Sequence, residues 1–247
     1  MILRRLTGAL RKQDWIAVLL EVLIVVVGIF VGLQVDDWNE NRKAKGEEIA
    51  YLERIIEDFE ISIRETTNNI KFQERHAERG AIVLDTLTEC DIPTELQLDF
   101  ANGIYHLGKI SPVEFAHTTI DELKSAGRFL ILRNTELRRE ISQMVQDYED
   151  HRAFIDDLRG RLAPQVNYVD SRIALTIRGP VGGSAEITWQ DVDMVFQSLC
   201  EDRRFFNAVS AAVNYSWDVV AANIWLAGEM DELKTRIESE LESLRGT

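Results

Sequence analysis

The sequence predicts an all-α protein, with one N-terminal transmembrane helix followed by a long-helix extramembrane bundle. Three observations predict it. Residues 15–35 form a run of 21 in which only Glu21 and Gln34 are clearly polar, enough for a helix to cross a hydrocarbon core of roughly 30 Å. Beyond the run, apolar residues recur at spacings of three and four on an otherwise charged chain, the period of a helix face. Strand-like patterning is almost absent, with residues 166–177 the one segment that admits it.

Residues 1–14 are a basic tail carrying a net charge of +3, with Arg4, Arg5, Arg11 and Lys12 before the apolar run and only Arg42, Lys43 and Lys45 close after it. The excess of basic residues on the amino-terminal side predicts a cytoplasmic tail and puts everything after Trp38 on the outer side of the membrane. Leu3, Leu6 and Leu10 share one helical face of the tail. That face suits either a helix lying on an anionic leaflet or a plain topology signal. Trp15 and Trp38 bracket the run as interfacial anchors, and the charges resume at Asp36 and Asp37. The run is too long for a signal peptide's apolar region and lacks a small-residue cleavage site, so the segment is expected to be retained as a membrane helix.

Residues 36–89 read as a juxtamembrane long helix with a heptad-like seam at Ile49, Leu52, Ile56, Phe59, Ile63, Ile70, Ala77, Leu84 and Leu87, its gaps filled by Thr66, Gln73 and Gly80. No proline occurs before Pro93, so a single helix is expected to continue from the span to about Glu89, with an extramembrane part about 75 Å long. Its seam must pack against later helices of the same chain or against copies of itself.

Residues 90–247 read as a helical extramembrane domain. Asp91 or Thr94 is expected to cap a short helix, Ser111-Pro112 to start another, and Thr118 with Asp121 to open a turn of helix that Gly127 ends. Asn134 caps a long helix with Leu137, Ile141, Met144, Val145, Tyr148, Phe154, Ile155 and Leu158 on its inner face, and Pro164 bends or ends it. The glycine-rich residues 179–186 read as a loop. Thr188 with Asp191 starts the next helix, and a last helical pattern buries Val209, Ala212, Val213, Trp217, Val220, Ile224 and Leu233.

The chain carries a formal charge of -14, which argues against a nucleic-acid partner. Its two cysteines, Cys90 and Cys200, are either a disulfide of an oxidising compartment or two buried small hydrophobes. The four histidines show no metal-ligand spacing, no G-x-S-x-G elbow occurs, and GPVGGS lacks the Lys-Ser/Thr of a phosphate loop. The expectation is a non-enzymatic protein with no cofactor and no bound metal. Asp36, Asp37, Asn39 and Glu40 read as a solvated acidic collar, since consecutive helical residues do not converge on one ion.

Two segments resemble one family. GIFVGLQVDDWNENRK, with the exit motif at residues 33–39, and TIDELKSAGRFLILRNTELRREI at residues 119–141 are similar to an uncharacterised family of bacterial single-pass membrane proteins. That family's hallmarks are a Leu-Gln-[Ile/Val]-[Asn/Asp]-[Asn/Asp]-Trp-Asn exit motif and a Glu-Leu-Lys-Ser-Ser-Gly block, in which this chain has Ala126 for the second serine. The resemblance implies one span and an α-helical domain of unknown function, and no reaction or ligand.

At 100° per residue, Asp14, Ala17, Glu21, Gly28, Gly32 and Asn39 lie within about 40° of one line. Gly28 and Gly32 form a GxxxG that lets two membrane helices approach closely, and Glu21 on that side faces a neighbour rather than lipid. Three roles compete for Glu21: a residue tolerated near the interface, a polar pair across a homo-oligomer or another membrane protein, or one of a ring lining an ion pathway. The first choice for function is a self-associating scaffold or accessory subunit, partnered by membrane lipid and further copies of itself. A homo-oligomeric channel and a periplasmic ligand sensor acting through a partner are the alternatives.

Overall fold

The computed structural model describes residues 15–176 and 187–246. The basic tail and the glycine-rich stretch 179–186 lie outside the described residues, as do the side chains of Trp15, Ala17 and Glu21. The protein is all-α, with helices α1 (Trp15–Glu89), α2 (Gln97–His106), α3 (Thr118–Ser125), α4 (Thr135–Asp170), α5 (Phe196–Cys200) and α6 (Arg203–Gly246). Two two-residue strands, β1 (Ala174–Leu175) and β2 (Val192–Asp193), pair antiparallel. The chain divides into two compact units, Met1–Tyr51 and Leu52–Thr247.

The first unit holds the apolar run. Its described side chains from Val22 to Trp38 lie in the open, among them Ile24, Phe30 and Val35. A Cβ added at Gly28 or Gly32 meets nothing within 4 Å. Helix α1 is therefore long and apolar enough there to cross a membrane, and that stretch is not buried by the described residues of its own chain. A soluble unit does not leave so many adjacent Val, Ile and Leu side chains in water.

In the second unit, the remainder of α1 packs with α2, α4 and α6. The buried positions of α1 follow an alternating three-four spacing: Leu52, Ile55, Phe59, Ser62, Thr66, then Gln73, His76, Gly80, Val83 and Leu87. This corrects the apolar seam expected from sequence. Leu52, Phe59, Ala77 and Leu87 are buried as expected, but Ile49, Ile56, Ile63, Ile70 and Leu84 are only partly covered. The middle of the seam holds Thr66, Gln73 and Gly80 as expected, and adds Ser62 and His76. It is spent inside the bundle, against helices of the same chain.

The core centres on Val83, Phe100, Leu162, Phe205, Val209 and Val213, drawn from four helices. Close approach is paid for by glycine at two crossings: a Cβ on Gly103 would lie 2.5 Å from the Arg79 carbonyl, and one on Gly80 would lie 2.7 Å from Val213 Cγ2. Cys90 and Cys200 are joined as a disulfide that ties the end of α1 to α5, with their Cα atoms 5.6 Å apart.

Several element boundaries differ from expectation, each for a local reason. Asn134 does cap α4, accepting from the Glu136 and Leu137 amides. Pro164 sits inside α4 without ending it, and the helix runs on to Asp170. Ser111-Pro112 starts no helix; residues 107–117 form a strap whose carbonyls are claimed by side chains of α1 and α4. Asp58 of α1, rather than a local residue, accepts from the Thr119 amide at the start of α3. Thr188 and Asp191 do form a reciprocal capping box, but around one 3₁₀ turn (Trp189–Asp191). The last helix is instead opened by Asp202, which accepts from the Arg204 and Phe205 amides. On α6, Trp217 and Ile224 are 42% and 51% exposed rather than buried.

Candidate functional site

Two places in the chain carry small or polar residues where packing alone would prefer large apolar ones. The first is the span face. Gly28 and Gly32 stand open on the helix, and Trp38, at the water end, carries the Arg42 guanidinium 5.4 Å from its ring centroid. The indole and its cation suit an interfacial anchor.

The second is the polar middle of the bundle. Ser62 and Thr66 turn their hydroxyls back onto the carbonyls of Asp58 and Ser62 in the same helix, so each is satisfied locally. Ser62 Oγ also accepts from the Ala116 amide of the strap. Further along α1, His76 stacks flat on His106 of α2, with ring centroids 3.9 Å apart and planes 11° from parallel. Phe72 meets the His76 ring edge-on at 4.0 Å. Neither nitrogen of His76 has a hydrogen-bond partner among the described residues. Burial, with His106 and the cations of Arg79, Arg75 and Lys109 close by, lowers the His76 imidazole to about 3. His76 therefore behaves as a neutral aromatic packing group at physiological pH.

A chain of side-chain hydrogen bonds crosses the bundle at the level of the strap. Asn69 of α1 donates through Nδ2 to the carbonyls of Ser111 and Pro112 at 3.3 and 3.2 Å. Its Oδ1 accepts from Asn223 Nδ2 of α6 at 3.1 Å. With the Asn223 amide nitrogen thus used, its Oδ1 accepts from His151 Nε2 of α4 at 3.0 Å. The direction of every bond follows from the strap carbonyls, which accept only. It fixes His151 as the Nε2–H tautomer and leaves Nδ1 with a lone pair. Desolvation lowers the His151 pKa against the opposing pull of the Asn223 bond, which favours the neutral ring.

His151 also lines a cleft of about 320 Å³ between the strap and α4, bounded by Glu114 and Phe115 on one side and Tyr148, Arg152 and Arg159 on the other. Arg159 is occupied, bonded to Asp156 Oδ1 at 2.9 Å and to the Ile110 carbonyl at 3.1 Å. Tyr148 reaches the Val113 carbonyl. Comparison with family models, curated proteins and solved structures finds no match. Among the described residues, no group of three His, Cys, Asp or Glu is arranged to hold a metal ion.

Sequence reading named the span-face residues and the cysteine pair. It missed Asn69, His151 and Asn223, which lie far apart in the chain. The available signal was a polar residue at a seam position of each helix: Asn69 in step with Thr66 and Gln73, His151 in step with Tyr148 and Ile155, Asn223 in step with Val219, Val220 and Leu226.

Proposed function

We propose that the protein is a non-enzymatic single-pass membrane protein of the bacterial inner membrane that self-associates through the Gly28/Gly32 face of its span and serves as a scaffold or accessory subunit. The observation that carries this is the division of labour along α1. The seam of residues 52–87 is consumed within the bundle, whereas the glycine face of the span has nothing on it. Apolar side chains gain nothing from each other in lipid, so close helix contact at small residues is what such a face offers. The Cys90–Cys200 bond supports an oxidising compartment for the bundle, in line with the basic tail staying in the cytoplasm. The exit motif at residues 33–39 supports membership of the single-pass family it resembles.

The test is the mass of the full-length protein in detergent, by light scattering or native mass spectrometry, beside a fragment starting at Asn41. The expected result is a defined full-length oligomer, a monomeric fragment, and loss of the oligomer in Gly28→Ile. A full-length monomer at all concentrations sinks the proposal.

A further inference from the structure

We propose that the cleft beneath the strap binds a small zwitterion, a molecule of amino-acid type with a carboxylate, an ammonium and a modest apolar body. The cleft presents three unspent polar groups of different kinds. Arg152 has no ion-pair or hydrogen-bond partner among the described residues, and neither has Glu114, although each has charged neighbours in the cleft wall. His151 is 6% exposed; its Nε2 is committed to Asn223, so Nδ1 is the polar atom left for the cleft it lines. An imidazole nitrogen with a free lone pair accepts from a donor. Arg152 offers a fork matched to a carboxylate. Glu114 offers an anion for an ammonium. Phe115 and Ile155 supply the apolar wall, and a volume of about 320 Å³ stands at the small end of ligand sites.

The relay gives such binding a route into the long helix. A ligand donor on His151 Nδ1 strengthens the His151–Asn223–Asn69 chain, whose last member is on α1 and grips the strap. The ligand site stands on the cleft alone and does not depend on self-association through the span.

The test uses full-length protein in detergent, labelled with ¹⁵N in its four histidines, and three probes that share the isobutyl unit: L-valine, isovalerate and isobutylamine. The free protein is expected to show His151 as the Nε2–H tautomer. L-Valine is expected to shift the His151 Nδ1 resonance saturably, with isovalerate and isobutylamine each at least about tenfold weaker. Arg152→Gln, a change at an exposed position, is expected to weaken L-valine about tenfold or more while leaving the melting temperature unchanged. No shift with L-valine at about 50 mM, well above a millimolar Kd, overturns the proposal. Equal effects of isovalerate and L-valine, or an unaltered response in Arg152→Gln, also overturn it.

Discussion

Phe30 and Phe59 belong to the same helix, yet one is 65% exposed and the other fully buried. Around Phe30 the helix is apolar on all sides, with no neighbour to pack against. Around Phe59 the outer face is mostly charged and the inner face is buried in the bundle, where the Phe115 ring meets Phe59 edge-on at 5.2 Å. What differs is the solvent each stretch is written for. An all-round apolar helix has lipid as its complement, and a one-sided helix has a folded core.

Phe59→Ala gives the largest expected effect. Removing a fully buried ring that also supports Phe115 costs about 3–5 kcal/mol, read as a drop in the urea midpoint with the m-value unchanged. A loss below about 1 kcal/mol would mean that the seam is not the core of the bundle.

Next comes the Cys90–Cys200 bond, which closes a separation of 110 residues. Opening so long a loop destabilises by about 2–5 kcal/mol. Thermal melts with and without reductant should differ for the native chain and coincide for the Cys90→Ser/Cys200→Ser variant. That bond lies wholly in the second unit, so the helicity of the span should survive reduction.

Much of this was legible in sequence. The span follows from an apolar run that only Glu21 and Gln34 interrupt, α1 from the lack of proline before Pro93, and the start of α4 from Asn134 ahead of a periodic stretch. The polar middle of the seam was legible at Thr66 and Gln73 but not at Ser62 and His76, which interrupt the apolar period at positions where the fold still buries them. Nor was the strap: Ser111-Pro112 has the local signature of a helix start, and only the tertiary bonds from Asn69, Tyr148 and Arg159 show why its carbonyls point elsewhere. The cleft and its relay unite residues up to 154 positions apart, a juxtaposition that periodicity within one helix does not encode. Exposed Trp217 and Ile224 carry the same lesson from the other side, since an apolar residue in step with a buried face can still fall at its edge.

The buried histidine gives a smaller effect, and one with a direction. The folded His76 ring takes a proton only near pH 3, because burial and the surrounding cations oppose it. In the unfolded chain it titrates near 6.5. The unfolded state therefore binds more protons between those values, and stability falls as pH is lowered through the window. Above about 6.5 the penalty is absent. The slope from this one group is at most about 1.4 kcal/mol per pH unit. His76→Phe, which keeps a ring on His106, should flatten the pH dependence of the melting temperature between 6 and 4 relative to the native chain. Parallel curves would mean that His76 is readily protonated in the folded state. The prediction sharpens the contrast with the span, whose uncharged stretch from Val22 to Val35 contributes nothing to such a slope.

Phe30→Ala is expected to change least. Its ring is exposed and belongs to the first unit, so the bundle's stability should stay within about 0.5 kcal/mol of the native value. Phe30 also lies about 200° around the helix from Gly28 at 100° per residue, so the oligomer proposed for the glycine face should survive the substitution that Gly28→Ile does not. The two results separate the sides of one helix. A loss of assembly in Phe30→Ala comparable to that in Gly28→Ile would show that the span associates through bulk apolar contact around its whole circumference, and the open glycines would lose their special role. Unchanged assembly and an unchanged melt, set beside the collapse expected of Phe59→Ala, would show that a phenylalanine on this helix matters only where its own chain has built something to receive it.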